Sequence, residues 1–269
     1  MSRAFRLLAL GVGALAALYP FLWMLVTSVK SLRDASRPSL GLWPREWLWS
    51  NYAETLAAAP FARYFINTFL VAGAVTAAVM LTSMLAGYAF ARLPFRGRSL
   101  MFALVLATMM IPFEVILIPN FVLITRLGWY NTYAALILPW CANAFSIFLF
   151  RQAFQQVPRD YFDAARMDGC GHLRILFRIA LPLVRPTAFT VALFAFLGSY
   201  NALIWPLIVT SDDRMRMVQV GLTAFATEEG VRTSLLMCAS VIVMIPTVAI
   251  YFAAQRRFRE AALGSGIKG

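Results

Sequence analysis

Long apolar stretches dominate the chain, and short polar segments that carry most of its charge separate them. A helix needs about 20 mostly apolar residues to cross the ~30 Å hydrocarbon core of a bilayer. Six stretches meet this requirement, at residues 5–29, 65–90, 100–124, 132–150, 186–209 and 233–255. They show neither the alternation typical of strands nor an evident internal repeat. The pattern predicts an all-α polytopic membrane protein with six transmembrane helices.

The composition agrees with this prediction. Of the 269 residues, 61% are hydrophobic and only 13% are charged, whereas soluble domains are about a quarter charged. Too little polar surface remains to coat a globule, so lipid is an expected partner. The first stretch follows Arg3 and Arg6 like a signal peptide, but it is long for one and lacks an A-x-A site. We interpret it as a retained helix.

Positive charge is distributed unevenly between the two sides that six spans create. With both termini cytoplasmic, the inner segments hold 15 Lys and Arg against four acidic residues, and the outer segments hold nine against seven. Cytoplasmic loops retain Lys and Arg, which favours this orientation. The net charge of +12 also suits the anionic inner leaflet. We expect no nucleic-acid partner, because no soluble segment presents a basic face interleaved with aromatics.

Residues suited to catalysis or metal binding are scarce. Three cysteines (Cys141, Cys170 and Cys238) stand far apart, and His172 is the one histidine. The pattern predicts no disulfide framework, no metal site and no catalytic residue. The nucleotide-binding sequence G-x-x-x-x-G-K-[ST] does not occur either. We therefore predict that the chain is not an enzyme and binds no cofactor itself.

Small residues and prolines mark where the spans pack closely or break. The second span carries a series of small residues that allow close backbone approach between helices: Gly73, Ala74, Ala77, Ala78, Ser83, Ala86 and Gly87. Prolines interrupt four other spans, where neighbouring helices or a water-lined cavity must satisfy the freed backbone groups: Pro112, Pro119, Pro139, Pro206 and Pro246.

The longest inner loop, residues 151–185, has the pattern of two short helices around a glycine. Pro158 is suited to the first turn of a helix, and Asp160 and Asp163 favour its positive end. Gly169 offers the left-handed position that ends a helix. Ala164 and Ala165 give the first helix a small-residue spot where another protein can approach.

The second helix of this loop is predicted to present Leu173, Leu176 and Ile179 on one face. Pro182 is predicted to end it, because proline lacks the backbone N–H that a helix needs. The alternative interpretation of the whole element is an amphipathic surface helix without a protein partner.

This loop resembles the EAA motif of the membrane subunits of bacterial ATP-binding-cassette (ABC) importers. The matching residues are Asp163-Ala164-Ala165, then Gly169, then Ile179-x-Leu181-Pro182, at the spacing of E-A-A-x-x-x-G, nine residues, I-x-L-P. Asp163 stands where the family usually has Glu, which shortens the carboxylate by one methylene. The resemblance implies that this loop, residues 158–182, docks on a cytoplasmic ATPase subunit and couples it to the spans. Asp168, beside the glycine, is the remaining residue expected to take part in this coupling.

Further segments resemble the sugar-permease branch of that family, and the resemblance covers roughly residues 60 to 269. They are Asn67-Thr68, Leu85 to Arg92, Ile111-Pro112 with Ile118-Pro119, Gly198 to Asn201 with Trp205-Pro206-Leu207, and Gly266 to Gly269.

The resemblance implies a type I ABC importer permease in the cytoplasmic membrane of a bacterium or archaeon. Its domains are expected at residues 1–63 (first helix and outer loop), 64–255 (permease core) and 256–269 (cytoplasmic tail). The implied partners are a second permease subunit, two copies of an ATPase subunit that uses ATP and Mg, and an extracytoplasmic solute-binding protein. The implied cargo is a carbohydrate, with glycerol phosphate or a polyol as the alternative.

Two groups inside the membrane are candidates for the substrate pathway. Glu114 is the acidic residue deepest in a predicted span, and it is interpreted either as a substrate-binding or gating group or as a structural hydrogen-bonding group. Tyr200, Asn201 and Trp205 combine an amide with aromatic rings, which suits a polyhydroxylated solute, but such residues also join helices.

The tail residues Gly266, Lys268 and Gly269 resemble those that reach the ATPase in the family, and the alternative is a frayed terminus. A secondary transporter or channel acting without an ATPase remains the rival function. It predicts further ionisable residues along a path for coupling ions, and Glu114 alone is available within the spans.

Overall fold

Helices account for most of the computed structural model, which describes residues 3–36, 43–227 and 230–265. In chain order they are α1 (Arg3–Ser28), α2 (Leu32–Ala35), α3 (Ser50–Ala58), α4 (Phe61–Arg92), α5 (Arg98–Thr108), α6 (Phe113–Arg126), α7 (Tyr133–Ile137), α8 (Ala144–Gln156), α9 (Arg159–Met167), α10 (His172–Ile175), α11 (Leu181–Leu183), α12 (Arg185–Tyr200), α13 (Ile204–Val209), α14 (Val218–Gly221) and α15 (Thr233–Ser265).

Short elements of other types complete the secondary structure. Two 3₁₀ turns span Leu138–Trp140 and Leu222–Phe225, and one π-helical turn spans Leu176–Ala180. Strands β1 (Ala226–Thr227) and β2 (Gly230–Val231) form a two-residue antiparallel ladder. This ladder is too small to change the predicted all-α class, which is confirmed.

Three of the six predicted spans are continuous helices, two are bent pairs of helices, and the span predicted at 186–209 is divided into α12 and α13. The continuous apolar segments are Phe5–Ser28, Phe61–Arg92 and Thr233–Gln255. The bent pairs are α5 with α6 at 94°, Tyr133–Trp140 with α8 at 42°, and His172–Leu183 with α12 at 88°. Counting each pair as one span gives up to six spans by length and composition. The number agrees with the prediction, but the third pair includes residues 172–183, which the sequence pattern assigns to the inner loop.

Prolines explain part of this bending. Pro112 takes an extended conformation (φ −65°, ψ 144°) as the residue before α6, because its missing N–H and its ring prevent a helix from running through. The predicted span 186–209 is also divided, into α12 and α13, with Asn201–Leu203 between them. The sequence predicts breaks at these prolines, but it does not predict the angles of the bends.

The described residues divide into two compact units. One comprises the residues up to Tyr64 together with Val218–Phe252, and the other comprises Phe65–Met217 together with the described residues from Ala253 onward. In the first unit the buried Asn51 amide donates to the carbonyls of Ser28 and Lys30 at 2.8 and 2.9 Å. This side chain therefore satisfies backbone acceptors where α1 ends.

The second unit contains the largest apolar core and the predicted coupling loop. Asn67 is fully buried there. Its amide donates to the carbonyls of Arg214 and Arg216, each at 2.9 Å, and its oxygen accepts from the Tyr133 hydroxyl at 2.7 Å. The outer segment after α13 is thereby fixed to α4 and α7.

Close packing of α4 against α8 depends on Gly87. A Cβ atom at this position would lie 2.6 Å from Cβ of Phe150 and 3.0 Å from the backbone nitrogen of Arg151. Gly73 lies in the same helix, but a Cβ there would meet nothing within 4 Å. Of the two glycines of the second span, Gly87 is thus the one that allows two helix backbones to meet.

Candidate coupling loop and cavity

The first helix of the predicted coupling loop is α9, and its two sides differ in burial. Pro158 precedes the helix as its N-cap, one residue earlier than predicted, and Asp160 lies in the first turn, where a carboxylate favours the positive end of the helix. Phe162 and Ala165 are buried at i, i+3 spacing. One side of α9 therefore packs into the protein, and the rest is left accessible.

A hydrogen-bonded Schellman motif ends α9 at Gly169, as the glycine position predicts. The N–H of Gly169 donates to the Arg166 carbonyl at 2.9 Å, and the N–H of Cys170 donates to the Ala165 carbonyl at 3.0 Å. Gly169 has φ +72°, and a Cβ atom at this position would meet no other atom within 4 Å. The glycine is needed for its backbone conformation and not for space.

The second helical part of the loop differs from the prediction in two ways. Leu173 is 64% exposed, whereas Leu176 is 1% exposed, so these two do not share a buried face with the half-buried Ile179. The buried positions are instead Ile175, Leu176 and Ala180. The predicted stripe is wrong because α10 turns Ile175 inward and leaves Leu173 exposed, and the π turn at residues 176–180 changes the spacing of the residues that follow Leu176.

The sequence predicts that Pro182 ends this helical segment because it lacks a backbone N–H, but the segment continues past it. Helix α11 continues to Leu183, and the 88° bend follows before Arg185. The π turn directly precedes the proline, and such turns accommodate a residue that crowds the carbonyl one turn earlier. Leu181 and Pro182 are half-buried at this junction.

Arg92, at the end of α4, connects α9 to the end of α8. Its guanidinium donates to the carbonyls of Phe154 and Val157, including a 3.1 Å bond from Nε to Phe154. These are carbonyls that a helix C-terminus leaves without intrahelical partners. The guanidinium carbon also lies 4.1 Å from the centroid of the Phe162 ring, in cation–π contact. One side chain thus joins three helices.

An aromatic cluster supports the same junction. The Tyr88 ring contacts the rings of Phe154, Phe162 and His172, with centroids 5.8, 6.3 and 6.4 Å apart. Tyr88 and Arg92 are not among the predicted site residues, although both lie in a segment that resembles the family. The sequence signal that could have identified Arg92 is its position directly after a long apolar span.

The outward surface of α9 carries the remaining motif residues. Ala164, Asp168 and Gly169 are exposed, and Met167 is 88% exposed beside the exposed Tyr161. Asp163 pairs with Arg166 at 3.1 Å on the surface. The predicted small-residue spot is wrong for Ala165, because this residue is 4% exposed and packs into the core of the same chain.

A cavity of about 500 Å³ lies in the second unit between α4, α8, α12 and α13. Its lining is mostly apolar and includes the rings of Trp140 and Trp205, which contact each other with centroids 6.2 Å apart. Asn143, Ser146 and Ser199 supply its polar groups. The Asn143 oxygen accepts from the Ser146 N–H at 2.8 Å, which caps the start of α8.

The predicted pathway residues are not gathered around this cavity. Trp205 lines it, with its indole N–H donating to the Ala135 carbonyl at 2.9 Å. Tyr200 is fully buried against Phe69 and Phe196, and the exposed Asn201 amide donates to the Leu197 carbonyl of its own helix.

Glu114 lies outside this cavity, exposed in the first turn of α6 beside the 94° bend. A carboxylate there is favoured by the helix N-terminus. The tail residues Gly266, Lys268 and Gly269 lie outside the described residues. Within the described part of the chain, no group of three or more His, Cys, Asp or Glu is placed to hold a metal ion.

An all-helical polytopic chain with a helix–glycine–helix loop held to its spans is the architecture of an importer permease, and comparison with known proteins agrees. Residues 78–261 match the family described as "Binding-protein-dependent transport system inner membrane component". The chain belongs to this family, as the EAA-like loop predicts.

Several curated relatives align over nearly the full length of both chains. The lactose transport system permease protein of Rhizobium radiobacter is 31% identical, covering 95% of this chain and 93% of the relative. The arabinooligosaccharides transport system permease protein of Halalkalibacterium halodurans is 32% identical, with 98% and 96% covered. The sn-glycerol-3-phosphate transport system permease protein of Yersinia enterocolitica is 32% identical, with 94% and 93% covered.

Solved structures show the same fold. A chain from the crystal structure of a bacterial ABC transporter involved in alginate import matches with a TM-score of 0.83 at 24% identity, covering 96% of this chain and 99% of that one. A chain of the MetNI methionine ABC transporter matches with a TM-score of 0.52 at 18% identity, covering 79% and 93%. The type I permease fold predicted from the sequence is therefore confirmed.

Proposed function

We propose that this chain is a permease subunit of an ATP-driven importer that carries a carbohydrate or related polyhydroxylated solute across the cytoplasmic membrane. It acts with a second permease subunit, two copies of an ATPase and an extracytoplasmic solute-binding protein. Both termini lie in the cytoplasm, residues 64–255 form the permease core, and ATP and Mg are used by the ATPase. The named transport systems of the relatives support this assignment.

The observation that carries the proposal is that α9 is packed against the protein on one side and accessible on the other. Its inner side is fixed by Phe162 and Ala165, while Ala164 and Met167 face outward. A helix that is rigidly attached on one side and accessible on the other is suited to transmit force from a partner. Residues 158–182 therefore form the ATPase-docking segment, and their positively charged surroundings favour the cytoplasmic side.

Coupling through this segment follows from its contacts. A displacement of α9 acts on Phe162, and Phe162 contacts Arg92 of α4 and Tyr88 one turn earlier. Arg92 in turn holds the end of α8. ATP-driven closure of the ATPase pair then favours one arrangement of α4 and α8, and a solute that prefers the same arrangement favours ATPase closure by reciprocity.

The cavity of about 500 Å³ between α4, α8, α12 and α13 supports a neutral, polyhydroxylated cargo. Two indole rings and the Asn143 amide offer stacking and hydrogen bonding. Among the described residues that line it, none is Lys, Arg or His, and a glycerol phosphate would call for such a cation. A sugar or polyol therefore fits this cavity better than a phosphate ester.

Co-purification tests the assignment. We expect an affinity-tagged chain, expressed with its genomic neighbours, to retain an ATPase and a second permease. Gly169→Asp should abolish solute uptake while the chain still inserts into the membrane, and Gly171→Asp is the matched control, because it adds the same charge at a position with ordinary φ and open surroundings. Absence of an ATPase from the purified assembly, or wild-type uptake by Gly169→Asp, contradicts the proposal.

A further inference from the structure

A second cavity, of about 770 Å³, lies between the end of α4, the start of α5, the end of α8 and one side of α9. Four arginines line it, Arg92, Arg98, Arg159 and Arg166, against one acidic residue, Asp163. Asp163 is already paired with Arg166. The lining therefore retains an excess of positive charge that is suited to an anion.

The two arginines best placed to hold an anion are Arg98 and Arg159. The Arg92 guanidinium is engaged by the carbonyls of Phe154 and Val157. Arg98 uses one nitrogen for a 3.3 Å bond to the Leu93 carbonyl, which leaves its other N–H groups for a ligand. A guanidinium presents paired N–H donors that match the oxygens of a phosphate group.

The cavity lies against the row of α9 residues next to the proposed ATPase-facing row, and Asp163, a predicted coupling residue, belongs to the cavity row. Arg159, Asp163 and Arg166 follow one another at i, i+4 and i+7 and line the cavity. Tyr161 and Ala164 lie on the neighbouring exposed row at i, i+3. A ligand in the cavity and an ATPase on the outward surface would therefore contact neighbouring rows of side chains on the same helix.

An apolar surface adjoins the basic cavity and indicates what kind of anion it accepts. A neighbouring open cavity of about 800 Å³ shares Pro94 and Arg98 with it and is also lined by Phe95 and Leu100. Beyond it, α5 exposes Leu100, Met101 and Leu104. A basic pocket continuous with an exposed apolar helix matches a molecule that has a phosphate at one end and an acyl chain at the other.

We propose that this basic cavity binds the phosphate headgroup of an anionic phospholipid of the inner leaflet, with an acyl chain along α5. Anionic lipids concentrate at that surface, and basic pockets at the membrane boundary retain their headgroups. The bound lipid occupies the space between α4, α8 and α9, the three helices that Arg92 joins. It therefore stabilises the base of the coupling loop independently of the transported solute.

Native mass spectrometry of the purified full-length chain tests this site. After delipidation, the protein is titrated with phosphatidylglycerol, with phosphatidylcholine and with inorganic phosphate. We expect phosphatidylglycerol to bind about tenfold or more tightly than phosphatidylcholine. Its binding should weaken as the concentration of ammonium acetate, the volatile salt of the spray solution, rises, because salt screens charges near a surface. Inorganic phosphate should bind far more weakly, since it gains nothing from α5.

Arg98→Gln combined with Arg159→Gln locates the binding. We expect about 5-fold weaker phosphatidylglycerol binding for each lost arginine, or roughly 30-fold for both. Arg174→Gln with Arg185→Gln removes the same charge from exposed inner positions outside the cavity and should leave binding near wild type. If the first pair does not fold, Arg98→Lys keeps the charge, loses the paired donors and should weaken binding measurably.

Three results would overturn the lipid site. They are equal binding of the two lipids, unchanged binding in the Arg98 and Arg159 variant, and inorganic phosphate binding as tightly as the lipid. An acidic segment of the ATPase that displaces phosphatidylglycerol completely would assign the cavity to a protein partner instead. None of these results depends on transport, so the outcome is distinguishable from failure of the proposed function.

Discussion

The guanidinium carbon of Arg92 lies 4.1 Å from the centroid of the Phe162 ring. Arg92 ends the long helix α4, and Phe162 is the buried aromatic residue of α9. Because the same guanidinium donates to carbonyls at the end of α8, movement of α9 cannot leave α4 and α8 unaffected. The contact is thus one direct physical link from the coupling loop to the spans.

Arg92→Lys should loosen this junction. Lysine keeps the charge but loses the planar fork that reaches two carbonyls and stacks on a ring. We expect the docking of α9 to weaken by about 2 kcal/mol, so that amide exchange over residues 155–167 quickens by roughly 30-fold, with uptake reduced. Arg126→Lys, at an exposed helix end, is the control. Exchange at the wild-type rate in Arg92→Lys would show that the clamp does not hold the loop.

Substitutions at Gly169 should rank by their tolerance of φ +72°. Asparagine enters the left-handed region more readily than alanine, and a β-branched residue enters it least. Since a Cβ meets no atom within 4 Å, the expected cost for alanine is about 1 kcal/mol of backbone strain. ATP-driven uptake should fall in the order Gly, Asn, Ala, Val. Equal uptake by the four variants would mean that the Schellman ending of α9 is dispensable.

Gly87→Ala should force α4 and α8 apart. The new methyl group would stand 2.6 Å from Cβ of Phe150, and neither backbone can yield without moving its helix. Overpacking of this kind costs about 1–3 kcal/mol, which should appear as a lower thermal midpoint in detergent. Gly73→Ala, in the same helix but with open space around it, should unfold like the wild type. A similar midpoint for both variants would contradict the close approach.

The outer turn around Asp212 should depend on pH. Its carboxylate accepts from the Asn131 amide at 2.9 Å and from the Arg214 N–H at 2.8 Å. These hydrogen bonds, led by that of Asn131, lower the pKa of the Asp212 carboxyl below its ordinary value of 3.8. Because the pKa is lower in the folded state, the ionised carboxylate stabilises the fold. This stabilisation is fully present at pH values above the ordinary pKa and is lost as the pH falls through the lowered pKa.

We therefore expect the N–H groups of Ser211 and Arg214 to exchange faster, relative to their intrinsic rates, once pH drops below about 4. Asp212→Asn removes the titrating group and should give a pH-independent relative rate. Identical pH profiles for the wild type and Asp212→Asn would assign the change to another group.

The sequence predicts the membrane class, the family and the glycine that ends α9, for identifiable reasons. Span length and charge placement follow from the bilayer itself, so residues such as Arg159 and Arg174 allow an orientation to be predicted. Gly169 is predictable because its backbone conformation is rare for other residues. The motif spacing then identifies the family without any knowledge of packing.

What the sequence does not predict is which neighbours a residue meets. Ala165 and Ala164 are chemically identical, yet one is buried and the other exposed, because the position of Phe162 sets how α9 is rotated. Leu173 is misplaced because α10 turns Ile175 inward instead, and the π turn at Leu176–Ala180 changes the helical spacing of the residues after it. Tyr200 and Trp205 flank a break at Asn201–Leu203 that directs their side chains to different surroundings.

Site-specific photo-cross-linking from Met167 tests the coupling role of α9 most directly. Met167 is 88% exposed, so the fold should tolerate a benzoylphenylalanine at this position, and its side chain should reach a docked partner. In cells that express the chain with its genomic neighbours, we predict an adduct with the ATPase whose yield changes with ATP. The same probe at Arg126 should give none. An ATPase adduct from Arg126 but not from Met167 would place the loop on the wrong side of the membrane and contradict the coupling role.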